Sequence, residues 1–513
     1  MEDIVEQVLM EFGPALSGDV SRSLTDRHGL SPAAARQRLA RRSAKVKSIE
    51  DLPFPRNARF LYHTDHYGSP RFWRALEKAL ESSPAYACTL GALAARGGIM
   101  PLQHFHIACG APLAQKRHAS SEQMLEALTK AGLLQLVEAP GIGECVSYVK
   151  DAGYLDQPIA AMKARLIVEG IVLNAVKTWA RNLSLGSYGT FQLRGDHESR
   201  LPKVGTFAWD LTAPSYLGGL RGRLENAGPK PGFVVCDILL GRVLSESGLR
   251  AFLRKCETLR ALKGVGRCLQ IFVAESYSKE ALKLARDTGV IPATTETLFG
   301  QDVAAALVDL SRMLTDAVRL AVDPVRFDLL FRELGRIEGA ANSLRGALFE
   351  FVVAEIVRKL WTANITLNHI FRDGGQDVAE VDVLAVLANR EVHFIECKGH
   401  APEGFVDMRE IDKWLTRRIP TVRKKALEHP EWRHLEMHFE LWTSGQLSDD
   451  ARQRLAALGS GETRYKVTVR AALEIEELVA KTNDNGLRKL VQQHFIEHPL
   501  AESSRVPQKS AAA

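Results

Sequence analysis

The 513-residue chain has no apolar run approaching the ~20 residues that a bilayer crossing requires, so no membrane-spanning helix and no membrane partner is expected. Cysteine is scarce and scattered: seven residues (88, 109, 145, 236, 256, 268 and 397), none set as Cys-x-x-Cys. That pattern indicates neither a disulfide framework nor a structural zinc site, and the cysteines read as small buried hydrophobes. The N-terminus, MEDIVEQVLMEFG, lacks the basic start and apolar core of a signal peptide, which makes a cytoplasmic location the expectation. No glycine-rich phosphate loop of recognised spacing is present. Nor is one sign of charge in large excess: 67 Lys and Arg against 61 Asp and Glu leave +6, too little to imply an acidic partner from the total.

What the chain does have is length for several domains, and 46% hydrophobic with 25% charged residues, the composition of a globular protein. Its positive charge gathers in two short stretches, Arg36 to Lys47 and Arg417 to Lys425. In residues 1–79 two helical patterns precede Ser31-Pro32, a helix start, and a third helix whose exposed face is expected to carry Arg36, Arg41, Arg42 and Lys45. Strand-like runs at 49–54 and 58–63 follow. This order resembles a winged helix-turn-helix, which implies nucleic-acid binding through those four residues. Residues 80–152 repeat the plan without the arginine stripe, which points to protein contacts or spacing.

Residues 153–305 alternate helix and strand patterns, as an α/β domain does. Glu169, Asp210 and Asp237 stand there like nuclease acids, but Leu239 occupies the position where a lysine would complete the set. The domain reads as a degenerate nuclease-like fold or a Rossmann-like sensor. A helical linker at 306–339, a domain at 340–496 and a disordered tail at 497–513 complete the expected organisation.

In the domain at 340–496, the helix LRGALFEFVVAEIVRKLW places Glu350 on a small, apolar stripe, whereas Glu355 is expected to form a surface pair with Lys359. Two strand-like runs follow, EVDVLAVLA and EVHFIECKG. Period two puts Val392, Phe394, Glu396 and Lys398 on one face, with His393 on the other as a packing or surface residue. A buried face ending in a carboxylate and an ammonium is costly unless those groups bind something. With a three-residue connection at 388–390, Leu387 pairs with Glu391 and Asp382 falls opposite Glu396; a two-residue turn would set it opposite Cys397.

An aspartate, 13 residues, then Glu-x-Lys, preceded by a helix bearing a glutamate, resembles the PD-(D/E)xK nuclease superfamily. The wording E-V-D-V-L and F-I-E-C-K is similar to the nuclease halves of prokaryotic defence proteins, although Val381 stands where the pattern has proline. The expected fold is therefore multidomain α/β with an α-rich N-terminus: winged-helix modules, then two restriction-endonuclease-like domains, the first degenerate. The resemblance implies Mg²⁺ or Mn²⁺ held by Asp382, Glu396 and the Cys397 carbonyl. Lys398 and Glu350 complete the catalytic set, and Arg417, Arg418, Lys424 and Lys425 track the nucleic-acid backbone. The function so implied is metal-dependent cleavage of nucleic acid, DNA favoured, in defence against phage or plasmid, with partner proteins of a defence system and a homodimer both open. Two rivals stand beside it: an effector switched by a nucleotide signal, and a non-catalytic DNA-binding regulator on a nuclease-like scaffold.

Overall fold

The computed structural model describes the chain apart from residues 1–2, 51, 81–82, 117, 140, 150–154, 198–199, 221–229, 263, 316–322, 336, 338–339, 362, 374–375, 388–389, 402–403, 457–464 and 497–513; the expected tail therefore lies outside the described residues. The chain is mixed α/β and divides into two units, residues 1–137, 144–162 and 179–294 in one, and 138–143, 163–178 and 295–513 in the other. Among the described residues no helix is long and apolar enough to cross a membrane.

The first unit opens with two stretches of the same element order. Helix Ile4–Phe12, the short strand Ala15–Leu16, helices Ser17–His28 and Pro32–Ala40, and strands Val46–Ile49 and Phe60–His63 form the first, with the last strand central in its sheet. Helix Pro84–Ala95, strand Ile99–Pro101, helices Leu102–Ala108 and Ser121–Lys130, and strands Leu134–Ala139 and Gly143–Tyr148 repeat it, again with the last strand central. Local signals set these boundaries. The Ser31 hydroxyl accepts from the Ala34 N–H ahead of Pro32, and Gly29 closes the preceding helix in the left-handed region at φ 64°. Val5, Leu9, Val20, Leu24, Val46 and Leu61 share one small core.

The basic third helix is shorter than expected. It ends at Ala40 with Arg41 as its cap, so Arg42 and Lys45 lie beyond it rather than on its face. The chain is drawn away there because Asp3 accepts the Ser43 N–H and Glu6 accepts the Ser43 hydroxyl. The strands expected at 49–54 and 58–63 fall instead at 46–49 and 60–63, because Pro53 and Pro55 have no N–H for a ladder.

The remainder of this unit is a five-stranded sheet. In spatial order its strands are Gln192–Leu193, Leu211–Ser215, Gly232–Leu244, Cys268–Tyr277 and Ile291–Thr294, the last three parallel. Helices Glu246–Arg260 and Lys279–Asp287 connect the parallel strands. Asp210 lies just before its strand rather than within it. Its carboxylate accepts from Arg194 at 2.8 Å and from the Ile238 N–H, while Asp237 accepts from the Asp210 N–H and from Lys255. Lys255, 1% exposed, also donates to the Ile107 and Ala208 carbonyls and lies over the Trp209 ring. Each charge of this cluster has a partner inside the protein, as a structural network requires. Glu169 is not a member, since its helix segment belongs to the other unit, where it pairs with Arg165.

The second unit is built on another five-stranded sheet, ordered Ala363–Asp373, Gln376–Leu387, Glu391–Lys398, Glu436–Thr443 and Lys466–Arg470. The first three strands are antiparallel, and the last two run parallel to Glu391–Lys398. The middle strand is covered on both faces, which accounts for its nearly continuous apolar wording. Helix Ala340–Leu360, apolar almost all round, packs on the sheet. Its Glu355 is buried rather than on the surface, and pairs with Arg358 as well as Lys359. Helices Gln301–Thr315 and Pro324–Leu334 occupy the expected linker, joined by an Arg326–Asp309 ion pair.

The buried network of the first unit yields a test. Burial pushes Asp237 up to about 6, against the pull of Lys255 and with help from Asp210. Lys255→Met leaves that carboxylate without its cation and is expected to cost about 3–5 kcal/mol in urea unfolding at pH 8. At pH 5 the loss shrinks, because a proton neutralises Asp237 instead.

Candidate active site

The site begins with hairpin register. Leu387 faces Glu391, and pairing continues through Val386–Val392, Ala385–His393 and Leu384–Phe394 to Val383–Ile395. The same count carries Asp382 to Glu396, the register of a three-residue connection. There the backbone ladder stops, and the Asp382 carboxylate accepts the Cys397 N–H at 2.7 Å. A side chain thus takes over where the main chains part. The last polar residue of the strand, Lys398, donates to Glu396 Oε1 at 2.8 Å.

Glu350 approaches from its helix. Gly399, directly after Lys398, makes the approach possible: a Cβ there would lie 2.2 Å from the Arg345 carbonyl and 2.7 Å from Phe349 Cβ. Only glycine lets the strand end pass one helical turn so closely. Glu350 is half-buried, and burial raises its pKa well above the usual carboxylate range, with Asp382, Glu380 and Glu396 adding to the rise and Lys163 opposing it. Asp382 is pushed up to about 7 by burial and by Glu396, with Lys398 and the Cys397 N–H working the other way. Burial works against the Lys398 ammonium, yet Glu396 and Asp382 outweigh it and hold its pKa above the ordinary lysine value. The Cys397 thiol is held protonated by burial and the surrounding carboxylates, which leaves its carbonyl as the available donor.

Three further residues enter the site. Glu380 shares the Asp382 face two positions earlier and is ion-paired with Lys163. Period two in E-V-D could have disclosed Glu380, but Lys163 is more than 200 positions away in sequence and leaves no local signal. Arg418, expected among the backbone-tracking cations, binds Glu396 Oε2 directly. It ends a five-residue π-helical turn, Trp414–Arg418, between helices Met408–Lys413 and Ile419–Glu428. Such widened turns are frequent at functional sites because they redirect a side chain.

The other basic residues part company. Arg417 and Lys424 are exposed, but Lys425 is turned inward and bonded to Glu428 at 2.7 Å, since it falls on the buried stripe with Val422 and Ala426. In the N-terminal unit Arg36 and Arg41 are exposed. Arg42 is occupied by the Leu39 carbonyl and Ser48, and Lys45 by Glu6 at 3.3 Å. His400, next to the site, donates its backbone N–H to the Ser444 hydroxyl.

No protein-family model matches the chain, and no curated protein does. Among solved structures it is similar to AF1548, a protein of unknown function, at 17% identity over 25% of this chain and 65% of that one, with a TM-score of 0.19. It is also similar to the restriction endonuclease FokI, at 10% identity over 93% of this chain and 85% of that one, again with a TM-score of 0.19.

The carboxylates imply a particular pH dependence. A folded-state pKa near 7 for Asp382, against an ordinary value of 3.8, means that the folded chain holds this proton more tightly than the unfolded one. The resulting stability is complete below the ordinary value and is lost as pH rises through about 7. In EDTA, apparent Tm should fall over that window for the wild type and fall less for Asp382→Asn. The two should differ most at pH 8.

Proposed function

We propose that residues 340–496 form a metal-dependent phosphodiesterase domain that cleaves nucleic acid, DNA in preference to RNA. The observation that carries this reading is the convergence of Glu350, Asp382 and Glu396 beside Lys398. Burial and mutual repulsion raise the pKa of two of these acids, and a divalent cation would relieve the same repulsion while leaving them ionised. The donor set suits Mg²⁺ or Mn²⁺, being hard oxygen throughout: the carboxylates of Asp382 and Glu396 and the carbonyl of Cys397. When bound, such an ion supplies Lewis-acid neutralisation of phosphate charge and a lowered pKa for water.

The chain's own groups have separable tasks. Asp382, held by the Cys397 N–H, presents its second oxygen in a fixed direction. Lys398 stays charged and is assigned to orient a water and stabilise negative charge developing on the phosphoryl oxygens. Glu350, whose raised pKa makes its ionised form a stronger base, positions a water or accepts its proton. Arg418 links Glu396 to the exposed cations Arg417 and Lys424, and on substrate entry exchanges that carboxylate for a phosphate oxygen. Arg36 and Arg41, in a module with the element order of a winged helix, supply further phosphate contacts.

Labelled DNA and RNA panels, single- and double-stranded, test the reading with Mg²⁺ or Mn²⁺ present. Cleavage should vanish in EDTA and fall by at least about 10²-fold in Asp382→Ala and Lys398→Ala, the loss typical of removing a group that stabilises transition-state charge. If the wild type cuts none of these substrates, the domain is a non-catalytic scaffold; if both variants cut as well as it does, these residues do not carry the cleavage.

A further inference from the structure

The sheet that supports the carboxylate site carries a second polar cluster on the other face of its middle strand. Positions 391 and 393 alternate with 392, 394, 396 and 398, so they project away from Glu396 and Lys398. Across the parallel pairing Glu391 faces Glu436 and His393 faces His438. Two imidazoles thus lie side by side with two carboxylates one step before them.

We propose that Glu391, His393 and His438 form a binding site for a divalent transition metal of the zinc class, distinct from the carboxylate site. One potential ligand atom from each lies within 4.8 Å of the others. His393 is already arranged as a ligand. Its Nδ1 donates to Glu440 Oε1 at 2.6 Å, and that carboxylate, 1% exposed, also accepts from Trp442 Nε1 and Arg470 Nε at 2.9 Å each. A carboxylate on one imidazole nitrogen fixes the tautomer and aims the lone pair of the other, the usual support of a metal-bound histidine. That lone pair, on Nε2, meets Glu391 Oε2 at 3.3 Å. With Nδ1 carrying the tautomer's proton, two acceptors meet there, and either a second proton on the ring or a metal cation satisfies both.

His438 adds an independent sign. Its Nε2 is buried and has no hydrogen-bond partner among the described residues, while Glu391 and Glu436 oxygens stand at 3.9 and 3.6 Å. A buried nitrogen without a partner is costly unless it binds something. Lys466 occupies Glu436 at 2.7 Å, so Glu391 is the carboxylate left to complete the set. The rings of His393 and His438 stack at 4.2 Å and 16°. Among the described residues no hydrogen bond holds His438 Nε2 in that stack, so a turn of its ring would be free to aim the lone pair at the point shared with His393 and Glu391. Two nitrogens and one oxygen select zinc, cobalt or a similar ion over magnesium, and leave a fourth position for water.

The test uses the full chain carrying Asp382→Asn, which disables the carboxylate site, stripped with EDTA and titrated with Co²⁺ in visible absorption. One equivalent should give a saturable tetrahedral d–d band that Zn²⁺ abolishes and Mg²⁺ does not. In the same background Glu391→Gln and His438→Asn should each weaken Co²⁺ affinity at least about tenfold. Glu391 is 41% exposed, so its variant should keep the parent's circular dichroism and decide the matter even if His438→Asn fails to fold. Absence of a saturable band in the folded parent, or parental affinity in Glu391→Gln, overturns the proposal. Neither outcome depends on whether the chain cleaves nucleic acid.

Discussion

The hydrogen bond from the Cys397 N–H to the Asp382 carboxylate is the constraint from which the candidate site follows. Up to Val383 and Ile395 the hairpin is held by ordinary main-chain pairing. Beyond that point a side chain continues the ladder, so one oxygen of Asp382 is spent on structure and the other is left in a set direction. Glu396 is brought opposite, Lys398 follows two residues on, and Gly399 lets the Glu350 helix close over the strand end. A slip of one residue in register would send Asp382 toward Cys397 and move Glu396 to the other face, dissolving the cluster at once.

The two units solve the same electrostatic problem differently. In the first, Asp210 and Asp237 are deeply buried and each meets a cation from within, Arg194 or Lys255, although burial still raises Asp237 to about 6. In the second, Glu350 and Asp382 are held above the normal carboxylate range because nearby cations do not offset burial and mutual repulsion. The first arrangement pairs its charges within the protein. The second keeps an unfavourable charge distribution in reserve, which is characteristic of sites that bind something of opposite charge.

Much of the local structure was legible. The Ser31-Pro32 start, the apolar periodicity of the helix around Glu350 and the alternation in EVHFIECK each correspond to an element, since caps, faces and pleats are properties of neighbouring residues. Boundaries were less so. The helix expected to carry Arg41, Arg42 and Lys45 ends at Ala40, because Asp3 and Glu6, some 40 positions away, capture Ser43. Lys425 looked like part of a basic surface, yet helical phase turns it inward beside Val422 and Ala426.

The sequence by itself determined which residues alternate on the hairpin strands and narrowed the partner of Asp382 to Glu396 or Cys397; the register of the folded hairpin decided for Glu396. The alternation and the narrowing follow from chain geometry over a few residues. Only tertiary structure decided that Lys163 pairs with Glu380, that Arg418 reaches Glu396 through a π-helical turn, and that His393 and His438 stand ring to ring. Those meetings depend on how distant strands and helices pack. The free energy of burying charge is settled there, by partners that no local pattern encodes.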